Sequence, residues 1–187
     1  MPDRFRSHKE GASLVLQEQE REVLVHLFSE LAFLLQPEQP EPDHAADPLA
    51  AMVGIGGDDQ EPDDPALARL FPSAYRDDDD SALEFRRLTQ DGLRSRKTAS
   101  AVAVLESLHS DSQRIVIDEQ GCQSWLTSLT DLRLVLSTRL GITDDPATQE
   151  WDEQTAAVDQ RAQLLAIYDW LGYLQDTLVR VLAKRLA

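Results

Sequence analysis

Cysteine is nearly absent: Cys122 is the only one in 187 residues. That excludes an intramolecular disulfide, a thiolate metal cluster and a CxxC pair. No apolar run approaches the roughly 20 residues needed to span a bilayer. Met1 to Glu10 carry charge where a signal peptide would carry an apolar segment. Together these absences lead us to expect a soluble, cytoplasmic protein with no membrane association. Cations are scarce as well. Asp and Glu number 34 against 18 Lys and Arg, a net charge of −16. This excludes a globally basic nucleic-acid binder, because neutralising phosphates needs clustered cations. What is present suffices for a core: 42% of residues are apolar, and a chain of this length buries about 70% of the surface that its unfolded form exposes.

The acidity is uneven. From Pro37 to Asp80 there are 13 Asp and Glu against Arg69 and Arg76, a net of −11, together with seven of the nine prolines. Gln36–Asp47 (QPEQPEPDHAAD) and Gly56–Asp64 (GGDDQEPDD) hold too little apolar area to offset the entropy of ordering. The expected organisation is one helical domain over 1–187, with an acidic, Pro-rich flexible insertion at about 37–64. Solvation is the plain role for this acid. Docking a basic partner or mimicking nucleic acid is the sharper one. Asp47-Pro48 and Asp64-Pro65 each open a short apolar piece, and Asp145-Pro146 repeats the pattern. Asp caps a helix start and Pro fits the first helical position, so short helices are expected there.

Elsewhere the apolar spacing is helical. Val23, Leu24, Leu27, Phe28, Leu31, Leu34 and Leu35 mark a helix over 18–35. Ser81–Leu108 reads as a long helix. Glu119–Leu140 follows with Asp118 as its cap and Gly141 as its stop, and Ala156–Leu186 is the last. The run LLAIYDWLGYL in that last helix is apolar nearly all round, which places it at the bundle centre, with Gly172 permitting close contact. Arg4–Ser7 and Ser13–Leu16 flank Gly11 as a hairpin, and QRIVI at 113–117 supplies a third strand. The fold class is mainly α: a helical bundle with a minor β-hairpin or three-stranded β element.

No enzyme signature is found, and no catalytic residue, metal or cofactor is assigned. His8, His26, His44 and His109 are far apart and lack ligand spacing. Gly54-Ile55-Gly56-Gly57 is a fragment of a phosphate loop without its Lys, followed by two repelling aspartates. Asp77–Asp80 reads as helix capping and solvation rather than a cation loop, because it lacks alternating spacing.

Three features carry the functional reading. Arg86, Arg87, Arg94 and Lys97 share one arc of the long helix, with Phe85, Leu88, Gly92, Ala99 and Ala103 roughly opposite. The bland reading is a solvated face. The sharper one, which we carry forward, is an interaction face. Arg133 lies on the apolar stripe of the 119–140 helix, so it should pair with a carboxylate or meet an interface. With Asp131 and Arg139 it forms a secondary group. Cys122, one turn before Trp125, is either a small core residue or a redox thiol.

Three blocks, FPSAYRDDDDSALEFRRLTQDGLRSRK, WLTSLTDLRLVLSTRLGIT and YDWLGYLQDTLV, resemble an actinobacterial family of unknown function, often named after the oxidative-stress transcriptional regulator AosR. The resemblance is weak before about Asp64 and good from Phe71 to Val179. It implies a cytoplasmic protein acting in stress-linked transcription through the transcription machinery rather than by catalysis. A thiol switch within one chain needs two cysteines that can meet; with Cys122 alone, a redox role would run through sulfenic acid or an intermolecular disulfide.

The function expected from the sequence is a non-enzymatic regulator or adaptor that binds a protein partner, a component of the transcription machinery, its acidic surface steering it to basic partners. Three rivals stand beside it. Direct DNA binding by the basic helix face is disfavoured by the surrounding charge. An enzyme with an unrecognised site would need a deep pocket with converging polar groups. A homodimer is the third.

Overall fold

The computed structural model describes residues 4–36, 62–72, 79–110, 112–142 and 155–186. Most of the acidic insertion, with Asp47-Pro48, His44 and the Gly54–Gly57 run, lies outside the described residues, as do Asp77, Asp78 and Asp145-Pro146. Among those described, there are five helices and one three-stranded antiparallel sheet. The mainly helical class with a small β element is what the structure has.

Strand β1 (Arg6–His8) turns through Lys9 and Glu10 into β2 (Gly11–Val15), which lies between β1 and β3 (Arg114–Asp118). The register pairs Arg6 with Ser13, and Leu14 with Ile115. Along β3 the side chains alternate, with Ile115 and Ile117 inward and Arg114, Val116 and Asp118 outward, the two-residue period of a half-buried strand. Gly11 is not the turn but a strand residue opposite Asp118. A Cβ there would sit 2.4 Å from the Ile117 carbonyl oxygen, so only glycine allows the two strands to approach.

Helix α1 (Glu18–Leu34) starts where the Glu20 carboxylate accepts from the Gln17 N–H at 2.9 Å, and it buries Leu24, Phe28 and Leu31. Short α2 (Pro65–Leu70) is capped by Asp64, whose side chain accepts from the Ala66 N–H at 2.8 Å, with Pro65 in its first turn as the Asp-Pro pair predicts. Long α3 (Asp79–Leu108) precedes β3. Helix α4 (Glu119–Arg139) begins with Asp118 accepting from the Gly121 N–H at 2.7 Å. It ends as expected at Gly141, with φ of 64°. The Ile142 and Gly141 N–H groups return to the Ser137 and Thr138 carbonyls at 2.8 and 3.1 Å, the paired closure that a left-handed glycine makes possible. Helix α5 (Thr155–Leu186) is the last of the described elements.

The centre belongs to α4, not to the last helix as the all-round apolar run suggested. Trp125 of α4 is fully enclosed, with Phe5 and Phe28 edge-on to it at 5.3 and 5.7 Å and its indole N–H donating to Ser107 Oγ at 3.0 Å. Within LLAIYDWLGYL only Leu171 and Leu174 are buried, while Leu164, Ile167, Tyr168 and Trp170 are half-buried. A helix packed along one side of its neighbour covers one stripe, however apolar its other faces are. Arg185 then ties the end of α5 to the hairpin by donating to the His8 carbonyl at 2.9 Å.

Candidate functional site

The long helix is turned the other way from the sequence expectation. Its inward stripe is Gln90, Arg94, Ala101, Val104 and Leu108, with Lys97 between them. Phe85, Leu88 and Gly92, placed opposite the cations, face solvent, with Phe85 45% and Leu88 72% exposed. The reason is phase. Steps of three and four run unbroken from Gln90 through Lys97 to Leu108, and the apolar C-terminal half of the helix decides which side meets the core.

Two of the four expected interaction cations are therefore internal. Arg94, only 9% exposed, stacks 4.9 Å over the Phe71 ring and donates to the Leu35 and Gln36 carbonyls at 3.4 and 3.2 Å. It closes the C-terminal end of α1, where free carbonyls favour a cation. Arg21 of α1 returns the favour, donating to the Leu108 carbonyl at the end of α3 and to the Ser112 carbonyl at 2.6 Å. Lys97 pairs with Asp131 of α4, Nζ to Oδ1 2.5 Å, both side chains largely buried. Burial pushes the Asp131 carboxyl above its ordinary value, against the pull of Lys97. Asp131 Oδ2 and Ser128 Oγ, one turn apart on α4, are buried without a hydrogen-bond partner. Arg86 and Arg87 belong to α3, but their side chains lie outside the described ones.

The secondary residues do not converge. Among the described residues Arg133 finds no carboxylate. Its Nη1 donates to Gln175 Oε1 at 2.7 Å, its Nη2 to the Tyr168 hydroxyl at 3.3 Å, and its guanidinium stacks 4.9 Å over the Tyr168 ring. A Cβ at Gly172 would meet this guanidinium at 3.5 Å, an ordinary van der Waals contact. Gln175 is held from the other side, donating to Thr130 Oγ1 at 2.7 Å. Arg139 is more exposed and pairs with Asp64 at 2.5 Å, joining the end of α4 to the start of α2. Some burial works against ionised Asp64, but the Ala66 N–H and Arg139 hold its carboxyl below its ordinary value.

Cys122 is fully buried. Burial raises its thiol pKa, and Asp118 and Glu119 add to that, while Arg185 and the Ala12 N–H pull the other way. Of the histidines, His26 is exposed, His109 contacts the Leu105 carbonyl at 2.6 Å, and His8 accepts from the Glu10 N–H at 3.4 Å. Among the described residues no three His, Cys, Asp or Glu side chains gather as a metal ion would require, and no helix is long and apolar enough to cross a membrane.

One feature is not legible in the sequence. A cleft of about 710 Å³ opens between α1, α2 and the C-terminal half of α4. Leu31, Leu67, Leu132 and Leu136 form its floor, and Phe33, 71% exposed, stands at its edge. Nothing in the periodicity of three separate helices says that they splay apart there. The one available signal was Phe33 itself, a large apolar residue out of phase with the α1 core stripe.

Over residues 2–182 the chain matches the family described as Domain of unknown function (DUF2017). It is 31% identical, over 193 positions, to a protein of Mycobacterium leprae bearing the AosR name; the match covers 96% of this chain and 82% of that one. The oxidative stress regulators AosR of Mycobacterium tuberculosis and Mycobacterium bovis are each 30% identical over 151 positions, 73% of this chain and 67% of theirs. No solved structure matches. With a family match running from residue 2 to residue 182, this chain belongs to the DUF2017 family.

Proposed function

We infer that this protein is a non-enzymatic, cytoplasmic regulator in stress-linked transcription that works by contacting another protein. The relatives' names, oxidative stress regulator, support the process. The observation that carries the mode of action is the orientation of α3. Among the described side chains, Arg94 and Lys97 are engaged inside the fold, and the outer face presents Leu88 and Phe85 with exposed Arg96 as the cation beside them. A groove-reading helix needs cations outward to meet phosphates; an outward leucine and phenylalanine suit a protein contact. With a net charge of −16, the partner suited to this chain is basic, as DNA-binding components of the transcription apparatus are.

Two parallel measurements test this reading. Affinity capture from the source cell compares the wild-type chain with Leu88→Asp, and labelled duplex DNA is titrated against salt. We expect transcription proteins to be retained by the wild type and lost by the variant, with no duplex bound at low salt. A duplex held with steep salt dependence, or capture unchanged by Leu88→Asp, overturns it.

A further inference from the structure

We propose that the cleft between α1, α2 and α4 is a second docking site, separate from the outer face of α3, and that it takes an amphipathic helix with apolar anchors and basic flanks. Its floor is apolar: Leu31, Leu67, Leu132 and Leu136, widened at one side by Leu27. Its polar residues, Glu30, Gln36, Asp64 and Arg139, accompany this floor without forming a converging set, since Asp64 and Arg139 engage one another. A small-molecule pocket of this size, within the roughly 300–1,000 Å³ range, fixes its ligand with a few converging polar groups. Here the apolar lining suits the ridge of an apolar helix face, read as anchors at i, i+3, i+4 and i+7. Exposed Phe33 at the edge is the kind of aromatic that anchors such contacts.

Charge complementarity sets the flanks. Glu30 is exposed and Asp64 lines the cleft. The chain leaves the described fold at Gln36 and returns just before Asp64, and both of these residues line the cleft. Between them, residues 37–61 carry seven Asp and Glu with no Lys or Arg. An acidic entrant would be repelled and a basic one attracted, over distances of about a Debye length, ~8 Å at physiological ionic strength. Arg139, paired with Asp64, is the one cation on the cleft among the described residues and the group that a partner's Lys or Arg would displace.

The probe is a fluorescein-labelled synthetic helix with leucines at i, i+3, i+4 and i+7 and lysines on the opposite face, with a second peptide carrying glutamates in place of the lysines. Both are titrated by anisotropy into the full-length protein. Phe33→Ser and Leu27→Ser, checked for native circular dichroism, test the cleft without changing charge; both positions lie off the fully buried core. The expected result is that the lysine peptide binds, that each serine variant binds it about tenfold more weakly, as loss of a contact hot spot does, that Arg139→Gln binds it more tightly, and that the glutamate peptide does not bind. Equal binding by both peptides overturns the proposal. So does lysine-peptide binding unchanged by the serine variants, which would be diffuse electrostatic attraction. Binding that appears only after residues 38–60 are deleted also overturns it, because the occupant is then the chain's own segment. Leu88→Asp should leave this binding intact, so its outcome is separable from that of the α3 contact.

Discussion

Lys97 of α3 and Asp131 of α4 face each other across a buried helix–helix contact, ammonium to carboxylate 2.5 Å. A charge left alone in such a place is costly, whereas removing both is cheap. Lys97→Met should lower unfolding stability by about 3 kcal/mol. The double variant Lys97→Met, Asp131→Leu should recover most of that loss. Urea denaturation of the three chains measures it, and equal losses in single and double variants would show that the pair is not the cause.

The two perturbed carboxyls should respond oppositely to acid. Asp64 is held below its ordinary value by the Ala66 N–H and Arg139, against some burial. Its contribution is complete above the unfolded value, about 3.9, and is lost as pH falls through the lower folded one. Asp131 is raised by burial, so its ionised form costs stability at neutral pH and that cost fades as pH falls through the raised value. Thermal melts from pH 7 downward should therefore show wild type gaining on Asp131→Asn with acidification. Its advantage over Asp64→Asn should shrink once the pH passes below about 4.

The glycines separate cleanly. Gly11→Ala forces a Cβ to 2.4 Å from the Ile117 carbonyl oxygen and should cost about 2 kcal/mol, as overpacking does. A Cβ at Gly92 meets nothing within 4 Å, so Gly92→Ala should gain up to about 1 kcal/mol from helix propensity. Gly172→Ala, with its 3.5 Å approach to Arg133, should be tolerated. Melting temperatures of the three single variants give the order directly.

Cys122 should behave as a core thiol. Its burial and raised pKa disfavour the thiolate that alkylating agents and peroxide attack. Native protein should resist maleimide labelling, and labelling should accelerate in step with denaturant-induced unfolding. Intact mass after peroxide, read beside it, should show no added oxygen at this residue.

The fold was largely legible. Asp118 before Glu119 and Gly141 after Leu140 mark α4 by chemistry that acts within one turn, and the alternation of Ile115 and Ile117 marks β3. What failed was any inference needing a neighbour. The cations of α3 look like a surface stripe until Asp131 and the end of α1 are brought against them. A wheel drawn around Phe85 and Leu88 weighs those two as core, whereas Ala101, Val104 and Leu108 set the phase. The 164–174 stretch is apolar all round, yet α4, flanked by more elements, occupies the middle. The residues around Arg133 were recognised as anomalous, but its partners are the neutral Gln175 and Tyr168, which no charge count could nominate.

The crossed arginines, Arg21 on the end of α3 and Arg94 on the end of α1, make each of these antiparallel rods the terminator of the other. Neither can slide by a turn or grow longer without unseating both guanidinium groups. The two should resist hydrogen exchange as a single block, and the point where the chain departs at Gln36 is thereby pinned to a fixed place on the molecule. The described chain thus stops at an anchored post rather than at a fraying helix end.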